Sequence, residues 1–251
     1  MHEASAGGRR IAFFGGSFDP PHRGHLAIAA AARDALQLDQ VLFAPVASQP
    51  LKPFGATAGF ADRLAMTRLA IAHEPAFAVS LADAPSPTSG SISSKAPHTP
   101  NYTIDTLLRL RSEYPADTEL LCLIGADSFL TLRQWHRGAE IPFIAPLVVA
   151  SRPGQSLADL ASILPPGLSI DFDSDQSTGS GVVELHTLVL HNIAGASAPF
   201  YLLPGLYHDV SASQIRRQVR AALGHPRPQS AAGVDLPDPV ASYILAHNLY
   251  R

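Results

Sequence analysis

Ile11-Ala12-Phe13-Phe14-Gly15-Gly16-Ser17-Phe18-Asp19-Pro20-Pro21-His22-Arg23-Gly24-His25 is the stretch on which the fold turns. Its apolar run does not alternate with polar residues, and it stops at two adjacent glycines. That reads as a buried strand ending in a tight turn. After Pro20-Pro21, an alanine-rich run from about Gly24 to Leu36 reads as a helix.

The same order of elements repeats outward. Val41-Leu42-Phe43-Ala44 is a second buried strand, ended by Pro45. Ala61 to Ala72 reads as a helix and Phe77-Ala78-Val79 as a short strand. A Ser-, Pro- and Thr-rich loop runs from about Ala84 to Pro100, and Asn101 to Glu113 reads as a helix. Leu120 to Ile124 and Leu147 to Ala150 are strands, the first ended by Gly125 and the second by Ser151-Arg152-Pro153-Gly154. Strand and helix alternation argues for an α/β protein with a parallel sheet and helices on both faces. Pro153 to Gly181 reads as irregular, Val182 to Leu190 as a strand, and Ser213–Leu223 and Pro239–Leu249 as two closing helices.

Composition agrees with a folded core and narrows the function classes. The chain has 251 residues, 46% hydrophobic and 16% charged, which is too apolar for a disordered chain. Its formal net charge is −3, from 18 basic and 21 acidic residues, unlike the footprint of a nucleic-acid or membrane-surface binder. Cys122 is the sole cysteine, so an intramolecular disulfide and a cysteine-rich zinc site are both ruled out. It sits in Leu120-Leu121-Cys122-Leu123-Ile124 and reads as a buried strand residue. Neither a signal peptide nor a membrane span is evident, so the expected location is the cytoplasm.

The Gly15–His25 stretch lies where ligands bind in an open parallel sheet, beyond the carboxyl end of a strand. Paired glycines let backbone N–H groups approach phosphate oxygens. His22 and His25 fall on one face at the helix start, poised to donate hydrogen bonds to an anion. The spaced glycines of a dinucleotide fingerprint are missing, as is the Gly-Lys-Ser/Thr of a Walker loop. A zinc site on the two histidines would need a third ligand, and none is obvious. Asp171, Asp173 and Asp175 lack the Gly and distal Glu of a calcium loop and read as a solvated loop. No metal-ligating residue is therefore assigned.

A second constellation lies near the carboxyl end, Val210-Ser211-Ala212-Ser213-Gln214-Ile215-Arg216-Arg217. Ser213 reads as the N-cap of the following helix. Hydroxyls, free N–H groups and Arg216 at a helix start make an anion cradle.

The two motifs together resemble the nucleotidyltransferase superfamily with its His-x-Gly-His signature, here His22-Arg23-Gly24-His25. The downstream Ile-Ser-x-Thr-x-x-Arg signature reads Val210-Ser211-Ala212-Ser213-Gln214-Ile215-Arg216. Gly125-Ala126-Asp127-Ser128-Phe129 with Trp135, Asn101-Tyr102-Thr103-Ile104-Asp105-Thr106-Leu107, Arg152-Pro153-Gly154 and the chain end Leu236 to Arg251 resemble bacterial nicotinate-nucleotide adenylyltransferases. The family's Pro-Pro-His-Lys becomes Gln49-Pro50-Leu51-Lys52, with the histidine lost and the lysine kept.

The resemblance implies a Rossmann-like doubly wound sheet with a C-terminal helical part, in one domain over residues 1–251. Within it, 154–206 does not align with the family and reads as an insertion, and 207–251 carries the phosphate-binding and closing helices. It implies adenylyl transfer from ATP to nicotinate mononucleotide, giving deamido-NAD and pyrophosphate, with Mg²⁺ arriving on ATP. His22, His25 and Arg216 would be catalytic, with His25 nearest the reacting centre. Gly15, Gly16, Ser17, Phe18, Lys52, Gly125, Asp127, Ser211 and Ser213 would bind ATP and its phosphates. Tyr102, Thr103, Trp135 and Arg152 would bind the acceptor, with Trp135 stacked on the pyridine ring.

Alternatives stay open at this point. Trp135 also reads as a core residue, and Asp127 as a helix N-cap. The enzyme could prefer nicotinamide mononucleotide or another phosphate acceptor, or the chain could be a non-catalytic nucleotide sensor. ATP and the mononucleotide are the expected partners, with neither nucleic acid nor membrane, and a homo-oligomer is left open.

Overall fold

The computed structural model describes residues 8–51, 55–85, 100–151, 157–179, 184–206, 211–223 and 235–251. The chain order is β1 (Arg10–Gly16), α1 (Arg23–Leu36), β2 (Gln40–Pro45), α2 (Phe60–Ile71), β3 (Phe77–Val79), α3 (Thr103–Glu113) and β4 (Glu119–Gly125). Next come α4 (Ala126–Phe129), a 3₁₀ turn at Leu132–Gln134, α5 (Ile141–Ile144), β5 (Leu147–Ala150) and α6 (Leu157–Ser162). The chain closes with β6 (Leu168–Gly179), β7 (Glu184–Asn192), β8 (Ser197–Leu203), α7 (Ala212–Leu223) and α8 (Asp238–Ala246).

The strand order is β3-β2-β1-β4-β5-β8-β7-β6. β1 pairs with β4, β4 with β5 and β5 with β8, all parallel, whereas β7 runs antiparallel to both β8 and β6. Ile11 to Phe14, Leu120 to Ile124 and Leu147 to Ala150 are buried throughout. Strands covered on both faces need such unbroken apolar runs, which is why those runs were readable. Cys122 has no exposed surface, in keeping with a core strand residue. The order reverses at β1 and β4. The carboxyl ends of these two strands, Gly15-Gly16 and Gly125, each carry residues flagged from the sequence.

The chain forms two compact units. One comprises Met1–Phe14, Ile28–Leu42 and Tyr102–Tyr207; the other comprises Gly15–Ala27, Phe43–Asn101 and His208–Arg251. The first holds β4 to β8 and a core that includes Phe129 against Phe200, with ring centroids 5.8 Å apart. The second holds α2, α7 and α8, which bury Met66, Ile215, Val219, Val240 and Ile244 in one cluster.

The stretch 153–181 departs from its irregular, solvated-loop reading. It contains α6 and the twelve-residue strand β6, on which Asp171, Asp173 and Asp175 all lie. Aspartate disfavours strands, but β6 has β7 alone as a neighbour in the strand order. Its ladder is also irregular between Asp171 and Gln176. There the Asp173 N–H donates to Asp171 Oδ1 at 3.0 Å. β8 had no counterpart in the sequence reading, because Pro199 interrupts its apolar run. Pro199 stands one residue ahead of the β5–β8 ladder, which begins at Phe200, so that ladder loses no donor. Within the described residues β7 runs from Glu184 to Asn192, while Val182 and Val183 of the strand reading lie outside them, and α8 ends at Ala246.

Candidate active site

In the second unit, the turn after β1 is built around Phe18. This residue is 1% exposed and takes φ 44°, in the left-handed region. Its ring lies under Gly16, where an added Cβ would come within 3.2 Å of the ring. Any larger residue at position 16 would therefore push the ring away. Phe18 also packs edge-on to His25, at 5.0 Å between centroids, and against Phe43 at 5.6 Å. Its side chain is thus a support beneath the turn. The Ser17 hydroxyl donates to Gln49 Oε1 at 2.7 Å, and the Gly16 carbonyl accepts from the Val46 N–H at 2.9 Å.

His22 and His25 come together at the start of α1, with ring centroids 3.7 Å apart. His25 Nδ1 accepts the His22 backbone N–H at 3.2 Å. An accepting Nδ1 leaves the proton of the neutral ring on Nε2, so His25 presents an N–H donor from its far side. His22 is 7% exposed.

The carboxyl-terminal motif reaches the same place. Arg216 Nη1 donates to the Asp19 carbonyl at 2.7 Å and lies 3.7 Å from Asp19 Oδ2. Arg216 Nη2 donates to the Ser213 hydroxyl at 3.1 Å. One helical turn separates Ser213 from Arg216, so the serine steadies the guanidinium. The cap assignment needs correction. Ser211, not Ser213, caps α7: its hydroxyl accepts the Gln214 N–H at 3.2 Å and its carbonyl accepts the Ile215 N–H at 3.0 Å. Ala212 already begins the helix. Two serines two positions apart compete for the cap, and only backbone geometry decides between them.

Asp19 was not singled out in the sequence, yet it joins these parts. Its side chain is 5% exposed. Oδ2 accepts the Thr57 N–H at 2.6 Å, and Oδ1 accepts both the Ala58 N–H at 3.1 Å and the Tyr250 hydroxyl at 2.8 Å. Arg63, 2% exposed, donates to the carbonyls of Ser17 at 2.7 Å and Ala58 at 3.2 Å. Burial lowers the Arg63 pKa, and the charge of Asp19 opposes that. Burial raises the Tyr250 pKa, helped by the Asp19 charge and hydrogen bond, so the phenol stays protonated as a donor. The local motif carried a signal for Asp19, a short acidic residue between a glycine turn and two prolines. Its partners lie far along the chain.

In the first unit, Gly125 ends β4 and stands at the N-cap of α4 without a side-chain cap. Asp127 lies inside α4 and is exposed, so its N-cap reading falls. Tyr102 holds the N-cap position of α3 and Thr103 opens that helix, two residues later than read. The Tyr102 ring lies against His136, with centroids 4.5 Å apart. Trp135, next to His136, is half-buried and not a core residue, and its indole N–H donates to the Thr131 hydroxyl at 3.1 Å. This unit therefore brings Tyr102 and the 135–136 segment together. Lys52 and Arg152 lie outside the described residues.

The strand–turn–helix with paired histidines after β1, in a sheet of this strand order, defines a Rossmann-like α/β nucleotidyltransferase. A family model described as cytidylyltransferase-like matches residues 13–218, and the chain belongs to that family. Within it, the chain groups with the nicotinate-nucleotide adenylyltransferases. A Geobacter metallireducens protein named probable nicotinate-nucleotide adenylyltransferase is 37% identical over 96% of this chain and 98% of its own. A Citrifermentans bemidjiense protein of the same name is 34% identical over the same shares. Plasmodium falciparum nicotinic acid mononucleotide adenylyltransferase, solved with NaAD, shares the fold with a TM-score of 0.63 at 15% identity, covering 96% of this chain and 97% of that one.

Proposed function

We propose that the protein transfers the adenylyl group of ATP to nicotinate mononucleotide, giving deamido-NAD and pyrophosphate in NAD biosynthesis. The observation that carries the reading is the Arg216–Asp19 contact at 2.7 Å, which brings the carboxyl-terminal signature to the His22–His25 turn. The names of relatives aligned over nearly the whole chain support the choice of acceptor.

The acceptor's phosphate is the nucleophile and is already anionic at neutral pH, so a general base is unnecessary. What the chain supplies is in-line positioning and donors aimed at the charge that builds on the leaving pyrophosphate. His25 donates from Nε2 nearest the reacting centre, and His22 supports it. Arg216 and Ser213 hold the β- and γ-phosphates, with Ser211 at the α7 start and Lys52 facing a phosphate. Gly15, Gly16, Ser17 and Phe18 offer backbone contacts to the nucleotide. Gly125 and Asp127 take the adenosine side. Trp135 stacks on the pyridine ring, N–H groups at Tyr102 and Thr103 read its carboxylate, and Arg152 joins the acceptor set.

Among the described residues, no group of three His, Cys, Asp or Glu could hold a metal ion, whereas ATP phosphates can. Mg²⁺ bound to ATP would neutralise phosphate charge. One domain over residues 1–251 belongs to this reading, supported by a family match that draws on both units. A cytoplasmic location goes with it, supported by a chain whose lone cysteine cannot form an intramolecular disulfide.

A pyrophosphate-release assay with ATP and a panel of acceptors tests the reading. Nicotinate mononucleotide is expected to be the best substrate. Preference for nicotinamide mononucleotide or phosphopantetheine, or binding without release, overturns it.

A further inference from the structure

We infer that Asp19 and Tyr250 form a positioning pair that sets the Arg216 guanidinium. The inference rests on the reading above, in which Arg216 holds ATP phosphates.

The guanidinium offers five N–H donors in a rigid fork. The Asp19 carbonyl and the Ser213 hydroxyl each hold one nitrogen, leaving the remaining N–H groups to reach an anion. Where the fork points therefore depends on Asp19. The Asp19 carboxylate takes the Thr57 N–H on Oδ2, where Arg216 Nη1 also lies 3.7 Å away, and on Oδ1 it takes the Ala58 N–H together with the Tyr250 hydroxyl at 2.8 Å, its one side-chain hydroxyl donor among the described residues. Tyr250 is itself 5% exposed and takes φ 66°. Its carbonyl accepts the Arg220 Nε–H at 3.4 Å. Arg220 and Arg216 are one turn apart on α7, so Tyr250 is tied to the helix that carries the phosphate-binding arginine. Tyr250 thus acts on the site through Asp19 without meeting substrate.

Tyr250→Phe removes only the O–H donor. It is expected to raise KM for ATP about five- to tenfold, leaving KM for nicotinate mononucleotide and the melting temperature near wild type. In an Arg216→Gln background, read as kcat/KM for ATP in the linear range, the same change is expected to have no further effect. An unchanged ATP KM, or an equal loss in both backgrounds, overturns the pairing. So does a fall in kcat with both KM values unchanged, since that reports a smaller folded fraction. Should Tyr250→Phe fail to fold, Asp19→Asn, whose single amide oxygen replaces the two carboxylate oxygens that hold Thr57 on one side and Ala58 and Tyr250 on the other, runs the same cycle with the same expectation. If Arg216→Gln alone leaves kcat/KM for ATP unchanged, it is the phosphate-binding reading that has failed.

Discussion

Two aspartates, one beside an arginine and one beside a histidine, lie at opposite ends of a scale of constraint. Asp19 has its two oxygens bound by two backbone N–H groups and a phenol, with Arg216 beside it and the Arg63 charge acting on it. Asp175, on β6, faces His186 Nδ1 at 2.8 Å through Oδ2, and its buried Oδ1 meets no donor among the described residues. His186 in turn shares its other nitrogen with Glu184 at 3.3 Å. The first carboxylate is held from several directions and can hold other groups in place. The second belongs to a pair with a substitute at hand. Precise placement of a phosphate-binding site calls for the first kind of support.

The contrast is sharpest in stability. Asp19→Ala strips two backbone donors and a phenol of their acceptor and removes the negative charge that acts on the buried Arg63. It is expected to cost about 3–5 kcal/mol, read as a fall in the urea midpoint. A cost below about 1 kcal/mol would put Asp19 in the same category as Asp175. Next in size is chemistry. His25→Ala removes the oriented Nε2–H donor and should lower turnover about 10²- to 10³-fold, with an unchanged circular dichroism spectrum. Near wild-type adenylylation would detach the ordered turn from the reaction.

How much of each region was readable follows from where its partners lie. The Gly15–His25 turn is local: strand, glycines and histidines sit within one short stretch, and its chemistry was visible there. Asp19 is part of that stretch, but its partners stand at 57, 58, 216 and 250, and no spacing rule links them. The buried parallel strands show as apolar runs. β6 hides because pairing through its backbone lets aspartates stand where apolar residues would normally mark a strand, and β8 because Pro199 breaks its run. α4 and α5, at four residues each, are too short for helical periodicity to register.

A smaller effect follows from pH. Tyr250 has its pKa raised in the fold above the unfolded value near 10. A raised pKa means that the protonated form is the one the fold favours. Its contribution is therefore complete below about pH 10 and is lost as pH climbs past that. Burial also raises Tyr201 and Tyr243, so the wild type carries more than one such group. Tyr250→Phe should therefore show a shallower, not absent, loss of melting temperature between about pH 9 and 11. Identical slopes would mean that the Tyr250 phenol is not held at Asp19.

The smallest effect is expected at the other aspartate. Asp175→Asn leaves His186 its contact with Glu184, whose side chain is 59% exposed and free to adjust. The Asp175 and His186 side chains are 24% and 18% exposed, so water screens the pair in part. Replacing the carboxylate also removes an anionic oxygen that is buried without a donor among the described residues, a gain that offsets the lost contact with His186. The two terms should nearly cancel, within about 1 kcal/mol, and ATP kinetics should be unchanged. Urea unfolding and the pyrophosphate assay on the same preparation read both. A loss above about 2 kcal/mol would show that the β6–β7 pairing is organised around this contact as tightly as the turn is around Asp19. The two regions would then differ in chemistry but not in constraint.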